Sequence, residues 1–290
     1  MKTIHSYIHL FRVHQYVKNL FVFAPLFFVF DLSPDTIGKA MLAFLLFSLI
    51  ASAVYIINDI SDVYTDRAHP IKRFRPIASG AIAVPHALRI TLFLLISGMI
   101  IAFLFDRDVF FVLSSYLVLN VLYTFWLKHV PVFDVLIIGL GFVLRILAGS
   151  YATDIAASNW ILAMTFLLAI FLVFSKRRAD LVLMQQEGQN SKKNLRLYSI
   201  KFLDSIMVFL GVVICVSYLF YTRDRLVIER YGNIWVLLTT PWVVFGVFRY
   251  LFFSRSHSEY IDPTSIILKD SWLQGIITGW IITFVVIRFI

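Results

Sequence analysis

Uninterrupted apolar stretches recur along this 290-residue chain, separated by short polar segments. Nine of them, near residues 15–31, 36–58, 85–105, 109–127, 132–150, 158–175, 205–222, 233–253 and 271–289, have the length, about 17–25 residues, at which a helix crosses a bilayer core. The first is the least regular, because Lys18, Asn19 and Pro25 interrupt it. Ahead of it, "MKTIHSYIHLFRVH" sets Lys2, His5, His9 and Arg12 on one helical face and Ile4, Ile8 and Phe11 on another, the pattern of an amphipathic helix lying in a membrane interface. His5 and His9 have a spacing that can hold zinc, but no third ligand is nearby, so a solvated face is the expectation. The segment lacks the cleavage pattern of a secretory signal and is read as mature sequence.

Composition agrees with the pattern. Apolar residues make up 60% and charged residues 15% of the chain, against about 25% charged in soluble domains, and the mean hydropathy is +0.85. The expectation is an all-α, polytopic membrane protein forming one domain over residues 1–290. Neither a linker nor a tandem repeat divides it, although charged loops four spans apart faintly suggest an old duplication. Cys215 lies inside the seventh stretch, excludes an intramolecular disulfide and reads as packing.

Charge then orients the chain. With the N-terminus inside, eighteen of the 26 Lys and Arg fall on inner segments and six on outer ones, while Arg89 and Arg145 lie within spans. Positive residues are retained on the cytoplasmic side, so the N-terminus is expected inside, the C-terminus outside, and the number of spans odd. Anionic headgroups alone account for a basic inner face, and a polytopic chain without a soluble basic domain is a poor nucleic-acid binder.

The greatest concentration of chemistry is "NDISDVYTDRAHPIKRFRPIASG", Asn58 to Gly80, at the inner end of the second stretch. Asn58, Asp62 and Asp66 are spaced i, i+4, i+8 and share one helical face; Pro70, after His69, ends the helix. Carboxylates at a helix C-terminus face the negative end of the macrodipole and repel each other one turn apart. A divalent cation between them removes the conflict. Mg²⁺ takes a few carboxylate oxygens together with substrate phosphate oxygens, and Arg67, Lys72, Arg73 and Arg75 suit those phosphates. The bland alternative is a set of solvated ion pairs such as Asp66 with Arg73.

"NDISDVYTD" resembles the first aspartate-rich motif of the UbiA-type intramembrane prenyltransferases, and the resemblance extends over essentially the whole chain. It implies a nine-helix bundle with a cytoplasmic active-site mouth. Within that superfamily, "HQYVKNLFVFAPL", "DRAHPIKRFRPIASG" and "SKRRADL" resemble the branch of decaprenyl-phosphate phosphoribosyltransferases, which move a 5-phosphoribosyl group from phosphoribosyl pyrophosphate to a polyprenyl phosphate. This implies a Mg²⁺-dependent transferase of a bacterial-type inner membrane, supplying cell-envelope glycan precursors, with phosphoribosyl pyrophosphate and a lipid phosphate as its partners. The oligomeric state, including a homo-oligomer, is left open.

One departure from the wider superfamily is informative. Aromatic prenyltransferases carry a second motif of two or more acids, but here the corresponding stretch, "SKRRADLVLMQQEG", has Asp180 and, two turns on, Glu187, preceded by Lys176, Arg177 and Arg178. Ion pairing of Asp180 within that stretch is the competing reading. Three anionic centres, a diphosphate, a 5-phosphate and a lipid phosphate, demand more fixed positive charge beside the membrane than a prenyl diphosphate with a neutral acceptor. Lys18-Asn19, and "NVLYTFWLK" with Asn120, Tyr123 or Thr124, and Lys128, point polar groups to the same level, where interfacial anchoring is the alternative.

The expected roles follow. Asn58, Asp62 and Asp66 hold Mg²⁺, with Asp59 aiding orientation. Arg67, Lys72, Arg73 and Arg75 neutralise phosphates. Lys18, Asn19, Tyr123, Lys128, Lys176 and Arg177 contact substrate, Lys18, Lys176 and Arg177 at the acceptor phosphate. Asp180 grips ribose hydroxyls or steers nearby cations. Arg145 lies about 20 Å deeper and is expected to snorkel or pair structurally. The runner-up activity is prenyl transfer to an aromatic or other hydrophobic acceptor; a non-catalytic transporter or lipid-binding protein is the third class.

Overall fold

The computed structural model describes residues 2–130, 132–187, 198–232, 234–256, 266 and 269–289, and among these every regular element is helical. The chain divides into two compact units, Met1–Leu162 and Ala163–Ile290.

In the first unit, α1 (Lys2–Phe11) leads into a 3₁₀ helix (Val13–Phe23) and α2 (Ala24–Val29). Then come α3 (Pro34–Ser61), α4 (Val63–Arg67), α5 (Val84–Phe105), α6 (Arg107–Phe125) and α7 (Phe133–Thr153). Helix α3 is the hub, packing against the 3₁₀ helix, α5, α6 and α7. Its start follows from local chemistry: Ser33 accepts the Thr36 N–H at 3.4 Å, Pro34 opens the helix and Asp35 sits in its first turn. Small residues, Ala43, Ser48, Ala51, Ser52 and Ala53, let neighbours approach its backbone closely, and Phe47 and Ile50 are fully buried.

The second unit takes up α8 (Asn159–Glu187) from Ala163, then α9 (Ile200–Arg223), α10 (Arg225–Tyr231), a 3₁₀ turn (Trp235–Thr239), α11 (Thr240–Ser256) and α12 (Ser271–Phe289). Helix α11 packs on α9 and α12.

Eight helices among the described residues are long and apolar enough to cross a membrane, and they coincide within a few residues with the last eight stretches expected from the sequence, except that α8 runs on past residue 175. Residues 176–187 lack Gly and Pro and are rich in good helix formers, so the charged stretch continues as helix rather than opening a loop. The first expected stretch differs in kind. In place of 15–31 the structure has a 17-residue segment, Val13–Val29, that is 3₁₀ and then α-helical. A 3₁₀ helix rises about 2.0 Å per residue against about 1.5 Å for an α-helix, so the segment extends over roughly 31 Å despite its short sequence. Pro25 sits in the first turn of α2, where its missing N–H is harmless.

Helix α7 touches this segment closely. A Cβ added at Gly149 would lie 1.8 Å from the carbonyl oxygen of Val22. Gly149→Ala is expected to cost about 3 kcal/mol or more by forcing two backbones apart, read as a lower unfolding temperature of the detergent-solubilised protein, while Gly275→Ala, whose Cβ meets nothing within 4 Å, leaves it unchanged.

Candidate active site

Helix α3 stops at Ser61, where Asp62 adopts φ −96°, ψ 7° before α4 begins. The backbone bonds Asp62 N–H to Asn58 O (2.9 Å) and Asp66 N–H to Asp62 O (2.8 Å) persist through the break. They keep Asn58, Asp62 and Asp66 one turn apart, as their spacing predicts. Beyond α4, His69 Nδ1 accepts the N–H groups of Ile71 and Lys72 at 3.2 and 3.3 Å. This local turn brings Lys72 and Arg75 back over the acids.

Asp59 and Asp66 are buried, each 3% exposed, and cations meet both. Arg75 Nη1 donates to Asp59 Oδ1 at 3.0 Å and to Asp66 Oδ2 at 2.7 Å. Arg12 also pairs with Asp59 Oδ1, and its guanidinium lies 4.8 Å from the centre of the Tyr55 ring. Lys72 Nζ stands 3.9 Å from Asp66. Lys128 Nζ donates to Asp62 at 2.7 Å, from the 3₁₀ turn Leu127–His129 that follows α6. Isolated charges at this depth would be prohibitive; hydrogen-bonded pairs are tolerated. Four cations face three acids, leaving the cluster net positive. Asn58 Oδ1 is buried without a hydrogen-bond partner, an arrangement that costs about 1–3 kcal/mol unless something donates to it or coordinates it.

The other expected residues are placed as follows. Arg67 Nε donates to the Ala78 carbonyl at 3.1 Å and braces the loop, and the exposed Arg73 lies on the Phe74 ring at 4.8 Å. Tyr123 and Lys18 are half-buried, and Thr124 is buried. Asn19 is enclosed in the core, 1% exposed, donating to Ser48 Oγ at 2.9 Å and accepting from Arg145 Nε at 2.8 Å. In the second unit, Lys176 is exposed while Arg177 and Asp180 are half-buried on α8. Arg178 donates to Asp204 at 2.7 Å and to the Ser254 carbonyl at 2.8 Å, binding α8 to α9 and α11. That occupies one of the three adjacent cations with packing.

Sequence reasoning missed Arg12. It was assigned to the solvated face of an amphipathic helix, but the chain leaves α1 at this residue with φ 51°, which turns the side chain to Asp59. The usable signal was "FRVHQYVKN" itself, where a cation stands six residues before Lys18 at the start of a polar-interrupted segment.

A divalent ion fits the donor set through the orphaned Asn58 oxygen and the Asp62 and Asp66 carboxylates. No group of three or more His, Cys, Asp or Glu side chains is arranged to hold a metal among the described residues. Any such ion must therefore complete its shell with the Asn58 amide and substrate oxygens, the habit of Mg²⁺.

Comparison with known proteins agrees with this fold. The family described as "UbiA prenyltransferase family" matches residues 20–264. The chain belongs to the UbiA prenyltransferase family. Its relatives include the decaprenyl-phosphate phosphoribosyltransferase of Mycolicibacterium smegmatis, 32% identical over 282 residues, covering 93% of this chain and 88% of the relative. The protein of the same description from Corynebacterium glutamicum is 30% identical over 284 residues, covering 96% and 85%. Among solved structures, a UbiA homolog from Archaeoglobus fulgidus bound to GPP and Mg²⁺ superposes with a TM-score of 0.71 at 18% identity, over 98% of this chain and 100% of that one. The fold is thus that of UbiA membrane enzymes, an all-helical integral membrane protein.

Burial, the largest cause, and the Arg75 charge hold the Lys72 ammonium below the 10.5 of an ordinary lysine. A lowered lysine pKa means the positive charge is lost earlier as pH rises. The alkaline limb of kcat/KM is therefore expected below that of a solvent lysine, and Lys72→Arg, which stays charged, should move that limb to higher pH in a pH–rate profile.

Proposed function

We propose that this protein transfers a 5-phosphoribosyl group from phosphoribosyl pyrophosphate to a polyprenyl phosphate at the cytoplasmic face of a bacterial inner membrane. The observation that carries the reading is the net-positive cluster around Asp59, Asp62 and Asp66, where Arg12, Lys72, Arg75 and Lys128 outnumber the acids. A site for a single prenyl diphosphate with a neutral acceptor has less use for that excess. The relatives described as decaprenyl-phosphate phosphoribosyltransferases cover nearly the whole chain, and their description supports the same donor and acceptor class. The excess of Lys and Arg on the segments read as inner supports the orientation.

In this reaction Asn58, Asp62 and Asp66 would hold Mg²⁺, which supplies neutralisation of the diphosphate charge. Lys72, Arg75 and Lys128 bind the donor's phosphate oxygens, exchanging carboxylate partners for phosphate ones in the same low-dielectric setting. Arg12 keeps Asp59 paired while Arg75 shifts. The bond from the anomeric carbon to the diphosphate oxygen breaks, pyrophosphate leaves with the electron pair, and an oxygen of the lipid phosphate forms the new bond. The acceptor is already ionised near neutral pH, so no general base has to take a proton. Lys18, half-buried in the 3₁₀ helix, docks the acceptor phosphate.

Membranes containing the protein should incorporate label from phosphoribosyl pyrophosphate into a lipid whose mass equals a polyprenyl phosphate plus one phosphoribosyl group. Label entering lipid from a prenyl diphosphate alone would replace this reading with prenyl transfer. Asp62→Asn should lower turnover by on the order of 100-fold and remove the response to added Mg²⁺; unchanged turnover would point to a non-catalytic membrane protein.

A further inference from the structure

Arg145 lies in the middle of α7, 5% exposed, and pairs with no carboxylate among the described residues. Its guanidinium is satisfied by neutral groups. Nε donates to Asn19 Oδ1 at 2.8 Å, Nη1 to the Gly141 carbonyl at 2.6 Å, and Nη2 reaches the Tyr116 hydroxyl at 3.4 Å. The rings of Phe47, Tyr116 and Phe142 surround the cation at 4.8–5.2 Å. An ionisable residue kept at such depth without a counter-charge calls for a role, and the geometry supplies one.

Asn19, the partner of Nε, belongs to the 3₁₀ helix, in which residues three apart eclipse. Tyr16, Asn19 and Val22 therefore stand in one line, and each meets a fixed partner: Ser52, Ser48 and the Gly149 gap. On α3 the partners recur at steps of three and four. Ser48 takes Asn19; Ser52 bonds Tyr16 and the Phe11 carbonyl; Tyr55 lies under Arg12, and Asp59 pairs with it. This is a polar ladder running from the core to the acid cluster, with Arg145 at its buried end.

We propose that Arg145 is a positioning residue: by gripping Asn19 it sets the register of the 3₁₀ helix along α3, and so holds Arg12 on Asp59, which lets Arg75 turn to the donor phosphates, and places Lys18 for the acceptor phosphate. The inference rests on the reading of the cluster as the phosphate site. It explains why an arginine, rather than a lysine, occupies the position. Three acceptors in fixed directions and three ring faces suit a planar fork, not a point charge. It also assigns Asn19 to the ladder instead of direct substrate contact.

Two readouts test it on the full-length protein in detergent. Arg145→Met and Asn19→Leu should each raise amide hydrogen exchange at least tenfold in peptides from residues 13–23, with peptides from α5 and α9 unchanged. They should raise KM for phosphoribosyl pyrophosphate tenfold or more, with kcat within threefold, and Arg145→Lys should not rescue either effect. In an Arg12→Gln background, Arg145→Met should add less than a threefold further change in KM, because the ladder then has little left to position. Exchange that rises uniformly or not at all, an unaltered KM, or rescue by lysine would overturn the proposal. A wild-type protein inactive with phosphoribosyl pyrophosphate would sink the reaction assignment instead, and the exchange pattern alone would still decide whether Arg145 holds the register.

Discussion

Burying carboxylates at the C-terminal end of a helix is electrostatically adverse, and the first unit is organised around answering it. Asp59 sits in the last turn of α3, where the dipole is negative, Asp66 follows in α4, and both are buried. Arg75, bridging both through one nitrogen, makes their burial tolerable. It can reach them because α4 is short, Pro70 stops helical continuation, and the His69 ring anchors the returning loop through two backbone N–H groups. Arg12 joins them where the chain turns through a left-handed residue between α1 and the 3₁₀ helix. Packing, turn chemistry and the N-terminal path all serve that one charge pairing.

The same pairing suits the chemistry proposed for it. Cations already held beside carboxylates need little reorganisation to meet phosphates, and preorganised charge is worth more than charge recruited from solvent. The uncommitted Asn58 oxygen adds a neutral ligand position that costs stability until it is filled. In α8 the division of labour among three consecutive cations, with Arg178 tied to Asp204 and Ser254, shows why a run of positive residues cannot be counted as a binding site residue by residue.

Depth in the first unit is handled by neutral dipoles rather than counter-ions. Arg145 is surrounded by an amide oxygen, a carbonyl, a phenol and aromatic faces, an assembly that keeps a cation without adding an acid the site would have to compete with. Gly149 permits the backbone approach that brings the 3₁₀ helix within reach of α7. A path of contacts thus runs from mid-core to the acid cluster, and its elements differ in periodicity: 3.0 on one strand of the ladder, 3.6 on the other.

The sequence by itself determined the helical membrane architecture, because apolar runs of spanning length are a composition effect that no tertiary contact needs to supply. It determined the acid motif as well, because an i, i+4, i+8 spacing acts through local backbone bonds that persist even across the break at Asp62. What it could not determine was which cation meets which acid. Arg12 is 47 residues from Asp59, and Lys128 is 66 from Asp62; nothing local encodes such a pairing. Nor could it distinguish a 3₁₀ from an α-helical path over Val13–Phe23, since that choice depends on Ser48, Ser52, Gly149 and Arg145 on other helices. Asn19 shows the consequence. Read as polar and near the membrane face it looked like a ligand contact, and only the tertiary packing, which encloses it between α3 and α7, made it part of the frame.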